Sequence, residues 1–122
     1  MTAKTDLEFD LDAFKRGYEE WDIETLLGLY ADDVELTQID RDNPPSEPRT
    51  RQGKGVFRGM FEHCASAGVK ATVENGVADG DRAAATVTCE FPGGRTVMAN
   101  VILELEDGRI VRERDVTAGD QK

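Results

Sequence analysis

Apolar residues recur at helical spacing near the start of the chain. The first stripe consists of Leu11, Phe14, Tyr18 and Trp21, at spacings of three, four and three. This period places the four side chains on one face of a helix. Asp10 precedes the stripe as an N-cap, so the pattern predicts a helix that begins after Asp10 and buries one apolar face.

The next segments change from helix to strand and back. Asp22 opens a second predicted helix over residues 23–30, and a strand is predicted over 34–39. Residues 42–49 hold three of the four prolines, which a helix or central strand does not accommodate, so a loop is predicted there. A third helix follows, and Gly68 ends it as a C-terminal glycine would. Its stripe consists of Val56, Phe57, Met60, Phe61 and Cys64.

The second half of the chain predicts strands. They are expected at 69–78, 83–91, 96–105 and 109–116. Glycine-containing tight turns separate them, which is typical of hairpins, so the four strands predict an antiparallel meander. The element order α-α-β-α-β-β-β-β indicates an α+β fold, with three helices on one sheet and a frayed tail over 117–122.

Length and charge limit the class of protein and the partners that this chain can have. The chain has 122 residues, of which 39% are hydrophobic, which indicates one domain over residues 1–122 with a single core. Its 15 basic and 25 acidic residues give a net charge of −10, which argues against nucleic acid and anionic membranes as partners. No apolar run approaches the length of a membrane span, and no signal peptide is recognisable. We therefore expect a soluble, cytoplasmic protein.

One run of residues resembles a known family. Trp21-Asp22 followed by Leu26 and by Leu29-Tyr30-Ala31-Asp32-Asp33-Val34, then the proline-rich loop, Gly53-x-x-x-Phe57 and the hairpin Glu106-Asp107-Gly108-Arg109-Ile110, resembles the SnoaL-like group. That group belongs to the nuclear-transport-factor-two-like superfamily, with ketosteroid isomerases, limonene-epoxide hydrolases and polyketide cyclases. Over residues 9–118 the resemblance implies a cystatin-like cone, whose strongly curved antiparallel sheet encloses an apolar pocket. It also implies a small apolar metabolite as ligand, no cofactor, and a homodimer formed through the sheet.

The ketosteroid isomerase residues are absent from this chain. The resemblance places Phe14 where those enzymes have a donor tyrosine, and Gln38 where they have the aspartate base. Their second acid falls at Val101 or Ile102, depending on the hairpin register. None of these side chains can carry the corresponding role, which argues against ketosteroid isomerase chemistry.

Asp115 is the strongest catalytic candidate. Limonene-epoxide hydrolases resemble the chain at Arg114-Asp115 on the last strand. Their other acid and arginine lie on a middle strand, where the nearest residues here are Glu90 and Thr88, so the acid is retained and the arginine is not. SnoaL-type cyclases use an acid at the Asp115 position as general acid and base. Strand alternation puts Glu113 on the same face as Asp115. The alternative interpretation of Asp115 is an exposed carboxylate that pairs with an arginine.

Further candidates each have a plainer interpretation. Asp40 is a carboxylate at the pocket mouth or a loop residue, and His63 is a base or a half-exposed helix residue. Tyr18 is an orienting donor or a core residue. Arg49 and Arg51 bind an anion or lie in a solvated loop. The predicted ligand-binding residues are Phe14, Trp21, Gln38, Phe57, Met60, Phe61, Asn100, Val101 and Glu113.

The remaining chemistry is sparse. Cys64 and Cys89 are interpreted as two small buried thiols, and no metal site is expected. Two functional hypotheses therefore stand: a cofactor-independent acid/base isomerase, cyclase, dehydratase or hydrolase, with Asp115, Asp40, His63 and Tyr18 as catalytic residues, or a non-catalytic ligand-binding or dimerisation module on the same fold.

Overall fold

The computed structural model describes residues 8–120 and shows three helices packed on one sheet. The elements are α1 (Leu11–Glu20), α2 (Ile23–Leu27), β1 (Tyr30–Ile39), β2 (Arg49–Gln52), α3 (Lys54–Ser66), β3 (Lys70–Asp79), β4 (Arg82–Glu90), β5 (Thr96–Glu106) and β6 (Arg109–Gly119). The predicted α+β class and the order of the predicted elements are confirmed. The structure adds one short strand, β2, directly after the proline-rich loop.

The sheet is curved and open, with strand order β2-β1-β6-β5-β4-β3. Strands β3 to β6 form the predicted antiparallel meander. Strand β1 joins the free side of β6 in parallel, and β2 pairs antiparallel with β1 at the sheet edge. The sheet is therefore mixed, since β1 and β6 are parallel while all the other strand pairs are antiparallel. Helix α3 connects β2 at one edge of the sheet to β3 at the other.

Three predicted boundaries are wrong. Helix α2 ends at Leu27, and Tyr30 already belongs to β1, where it pairs with Ile110. Residues 117–119 were expected to fray but continue β6, because Gly119 pairs with Val97. Hydrogen bonds between strands thus override the local pattern at both places. Residues 121–122 of the predicted tail lie outside the described range.

The N-cap of α1 agrees with the sequence pattern. Asp10 Oδ1 accepts a hydrogen bond of 2.9 Å from the backbone N–H of Ala13. Helix α1 then packs against α2 at Gly17, where a Cβ atom would lie 2.6 Å from Leu26 Cγ. Glycine is therefore required for this close helix contact.

The core lies between the helices and the concave face of the sheet. Its centre is an aromatic cluster, in which the ring centroids of Tyr30 and Phe57 are 4.3 Å apart. Phe14, Tyr18 and Phe61 complete the aromatic cluster. No helix among residues 8–120 is long and apolar enough to cross a membrane.

Candidate functional site

Two carboxyl groups of β6 point into the interior. Glu113 is 2% exposed and Asp115 is 7% exposed. A bulge precedes them, because Ile110 pairs with Leu105 and Arg112 with Glu104, which leaves Val111 between the paired positions. Glu113 and Asp115 alternate with exposed Arg112 and Arg114, so both acids share the concave face, while Val111 is only partly buried. The exposed-carboxylate alternative for Asp115 is wrong.

Neighbouring strands give the carboxyls an apolar wall on one side. Asp115 lies opposite Val101 of β5, and Glu113 lies opposite Leu103; both apolar residues are buried. On the other side, Asp115 is paired with Gln38 of β1. This register also settles the hairpin alternative, since Val101 faces inward and Ile102 is 47% exposed on the other face.

Tyr30 holds the deeper carboxyl. Its Oη donates a hydrogen bond of 2.6 Å to Glu113 Oε1, and both side chains are buried. Tyr18 lies close to Tyr30 on the other side, and it is buried as well. Burial, followed by the charge of Glu113, raises the pKa of both tyrosines well above the usual value. Both phenols therefore remain protonated donors across the neutral range.

The carboxyl pair retains a proton. Burial raises the pKa of Glu113, while the neighbouring Asp115 carboxyl and the hydrogen bond from Tyr30 oppose that rise. The pKa of Asp115 is raised well above its usual value by burial and then by the charge of Glu113. Two adjacent buried carboxyls do not both ionise, since their charges repel and water does not screen them. Asp115, whose pKa is raised the more, is therefore the member of the pair that keeps its proton to the higher pH.

Unpartnered oxygens agree with this assignment. Within residues 8–120, Glu113 Oε2 and Asp115 Oδ1 are buried and have no hydrogen-bond partner. A buried oxygen without a donor is costly, so a proton held on the pair accounts for the arrangement. Asp115 is slightly the more exposed of the two, at 7% against 2% for Glu113.

The outer side of the site is polar. Arg51 of β2 donates a hydrogen bond of 2.8 Å to Gln38 Oε1, and its Nη2 lies 3.7 Å from Met60 Sδ on α3. Burial, and then the charge of Arg49, lowers the pKa of Arg51. Gln38 and Met60, both predicted to contact ligand, are half-buried beside this guanidinium.

The two thiols and Trp21 lie on half-buried positions. Cys64 and Cys89 are free, and burial followed by the proximity of Cys64 raises the pKa of Cys89 to about 11. The thiols are half-buried rather than buried as the sequence indicated, and neither is activated for nucleophilic chemistry, since the pKa of each is raised. Trp21 Nε1 donates a hydrogen bond of 2.7 Å to the carbonyl of Val69, which fixes the indole in place.

Three predicted site residues lie elsewhere. His63 is exposed on α3, and Asn100 is exposed on the outer face of the sheet, where its Oδ1 accepts a hydrogen bond from Thr86. Asp40 lies in the turn after β1, where its Oδ1 accepts hydrogen bonds from the backbone N–H groups of Asp42 and Asn43. Helix rotation, strand alternation and turn formation separate these residues from Asp115, so they are removed from the candidate site.

The predicted aromatic ligand contacts are core residues. Phe14, Phe57 and Phe61 are at most 2% exposed and pack on each other or on the tyrosines. The residue that sequence reasoning missed is Tyr30, which was assigned to the end of a helix. Its partner Glu113 is 83 residues away, and no local pattern signals that contact.

Two surface grooves lie apart from the carboxyl pair. A groove of about 530 Å³ includes Asp42 and Asp120, and another of about 620 Å³ lies between α1 and β3 beside Gly76. Neither groove is lined by Asp115. Among residues 8–120, no three His, Cys, Asp or Glu side chains converge as a metal site.

A family model described as a SnoaL-like domain matches residues 11–113. The chain belongs to the SnoaL-like family. No curated protein is significantly similar to this SnoaL-like protein. The resemblance seen in the Tyr30-Ala31-Asp32-Asp33-Val34 segment is thereby confirmed.

Solved structures share the fold of this SnoaL-like protein. A Kribbella flavida protein provisionally named a ketosteroid isomerase is 20% identical, with a TM-score of 0.71 over 92% of this chain and 77% of that one. A Pseudomonas putida protein provisionally named a polyketide cyclase is 22% identical, with a TM-score of 0.67 over 93% and 91%. A Mesorhizobium loti protein described as NTF2-like is 20% identical, with a TM-score of 0.71 over 88% and 86%. At these identities the likeness establishes the cone-shaped fold.

Proposed function

We propose that this SnoaL-like protein is a cofactor-independent acid/base enzyme that isomerises or cyclises an apolar small molecule. The observation that carries the proposal is the buried pair of Glu113 and Asp115, which holds one proton beneath an apolar wall. A carboxyl whose pKa is raised well above its usual value by burial is suited to donate and accept protons during turnover. The isomerase and cyclase names of the structural neighbours support the same reaction class.

Each member of the pair has a distinct proposed role. Asp115 contacts the substrate, because it is the more exposed carboxyl. As an acid it gives its proton to a substrate oxygen; with the proton moved to Glu113, its carboxylate instead takes a proton from an acidic C–H and returns it at another carbon. Tyr30 is a positioning residue, since its hydrogen bond fixes Glu113 Oε1. Tyr18 supports Tyr30 from the next position.

Proton exchange at carbon tests this proposal before a substrate is known. Cyclic ketones and β-ketoesters are incubated with the protein in D₂O, and deuterium incorporation beside the carbonyl is followed by NMR. We expect wild type to accelerate exchange for at least one probe, and Asp115→Asn to reduce the rate by about a hundredfold or more. Asp33→Asn, which removes an exposed carboxylate from β1, is the matched control and keeps the wild-type rate.

The contrary result is equally sharp. If no probe exchanges faster than with Asp115→Asn, acid/base catalysis at this pair is rejected. A ligand-binding module then becomes the better description of the protein.

We also propose that the protein is a homodimer formed through the outer face of its sheet. Met98, Ile102 and Val116 are 47–48% exposed there. They lie on adjacent strands, with Asn100 paired to Val116 between them, so the apolar side chains form one patch. Sedimentation equilibrium should give a dimer for wild type and a monomer for Ile102→Asp. A wild-type monomer at high concentration would contradict the proposal.

A further inference from the structure

An arginine at the edge of the site lacks the acceptor that its burial requires. Arg51 Nε is buried and, within residues 8–120, has no hydrogen-bond partner. The same guanidinium donates to Gln38 Oε1 through Nη2, and otherwise meets only the weak acceptor Met60 Sδ. Arg51 forms no ion pair with any described residue, although the chain carries 25 acidic side chains. A permanently charged group is thus half-buried with an open donor.

The sheet register places Arg51 on the same face as the carboxyl pair. Arg51 lies opposite Leu36, and Leu36 lies beside Glu113. One row further along, Arg49 lies opposite Gln38, and Gln38 lies beside Asp115. Directly paired residues share a sheet face, so both arginines lie on the concave face, separated from the acids by one strand.

The chemistry of the open donors selects the ligand. Nε–H and Nη2–H of one guanidinium form a planar fork that matches the two oxygens of a carboxylate. Met60 is unbranched and flexible, so it can move aside for such a group. The positive charge of Arg49 lies close enough to lower the pKa of Arg51, after burial, and it adds to the attraction for an anion.

We infer that Arg51, oriented by Gln38, binds the carboxylate of an acidic ligand whose apolar body extends along the concave face toward Asp115. The inference deepens the proposed function, because it assigns the substrate to the apolar carboxylic acids. It rests on that function only for the reaction at Asp115, since binding at Arg51 is measurable without turnover. The fixed cation also offsets the repulsion between a ligand carboxylate and ionised Glu113.

Matched pairs of keto acids and keto amides test the inference. The probes are apolar cyclic keto acids of increasing ring size, each compared at neutral pH with its carboxamide, which has the same shape without the charge. NMR titration follows the Arg51 Nε–H, the Gln38 side-chain amide and the Met60 methyl group. We expect at least one acid to shift all three signals and to bind about tenfold more tightly than its amide.

Substitutions of Arg51 distinguish the contribution of its planar pair of donors from that of its positive charge. Arg51→Met should abolish the preference for the acid, and Arg51→Lys should lose most of it, because lysine keeps the charge but not the planar fork. Arg49→Met is the matched control: it removes the adjacent, exposed cation and should reduce binding by only about threefold or less. Circular dichroism of each variant checks that the fold is retained.

The two proposals fail in different ways. The inference is overturned if no acid shifts the Arg51 signals, if acids and amides bind wild type equally, or if Arg51→Met keeps the preference. Acid binding that persists in wild type and in Asp115→Asn, with no deuterium exchange in either protein, supports Arg51 and rejects only the catalytic proposal. Exchange without any preference for the acid rejects only the role of Arg51.

Discussion

Tyr30 Oη lies 2.6 Å from Glu113 Oε1, and this hydrogen bond joins the first strand to the last across 83 positions of sequence. Both groups are buried, so each has lost its hydrogen bonds to water. The bond therefore stabilises the fold chiefly because, without it, the buried hydroxyl and the buried carboxyl would each lack a hydrogen-bond partner. It also orients the carboxyl pair of the candidate site.

Tyr30→Phe should destabilise the protein by about 1–3 kcal/mol, because Glu113 Oε1 loses its donor. Urea denaturation measures this change. A double-mutant cycle with Glu113→Leu should show the double variant to be less destabilised than the sum of the single variants by about 0.5–3 kcal/mol. Pairing Tyr30→Phe with Glu104→Leu, at a partly exposed acid on β5, is the control and should be additive. Additivity in the first cycle would contradict the coupling.

Stability should fall as pH rises above the acidic range. The pKa values of Glu113 and Asp115 are raised in the folded state, so between the unfolded and folded values the folded chain holds protons that the unfolded chain releases. This contribution is fully present below the unfolded value of about 4 and is lost as pH rises through the folded pKa, at up to about 1.4 kcal/mol per pH unit for each proton.

Asp115→Asn removes one of these titrations. The stability of Asp115→Asn relative to wild type should therefore increase with pH, as measured by urea denaturation at several values from mildly acidic to mildly basic. A flat difference for Asp115→Asn would mean that its carboxyl is not shifted.

Two glycines of the helices should respond oppositely to alanine. Gly17→Ala places a Cβ 2.6 Å from Leu26 Cγ and 2.9 Å from Leu26 Cδ2, so we expect a loss of about 1–3 kcal/mol from overpacking. Gly59 lies on an exposed position of α3, with nothing within 4 Å of an added Cβ. Gly59→Ala should therefore stabilise by about 0.5–1 kcal/mol. Thermal unfolding of the two variants compares them directly, and equal effects would refute the packing argument.

Cys89 should react slowly with alkylating reagents. Its pKa of about 11 against the ordinary 9.0 implies a thiolate fraction about a hundredfold lower at neutral pH. Reaction with iodoacetamide in a Cys64→Ser variant isolates this thiol, and its rate should keep rising with pH beyond the ordinary pKa. Removing Cys64 should also lower the pKa slightly, because Cys64 contributes to the shift. A plateau near pH 9 would show an unperturbed thiol.

Local patterns in the sequence determined most of the secondary structure. The stripe of α1 and the Asp10 cap predicted that helix, and glycine turns predicted the four-stranded meander, because both signals act between residues close in sequence. The same alternation placed Glu113 and Asp115 on one face of β6. The Trp21-to-Val34 segment and the later hairpin were sufficient to indicate the SnoaL-like family, which the match over residues 11–113 confirms.

Only the tertiary structure decided which face of β6 is buried and which groups meet there. Alternation shows which residues share a face of the strand, but not which of the two faces is buried. The burial of Asp115 is therefore evident only in the folded chain, where helices cover the concave face. Tyr30 was wrongly assigned to the second predicted helix, because the contacts that place it in a strand are distant in sequence. Its strand partner is Ile110 and its hydrogen-bond partner is Glu113. Arg51 appeared to be a loop cation until β2 paired with β1. Raised pKa values and unpartnered donors depend on desolvation, and desolvation is a property of the packed chain rather than of any segment of its sequence.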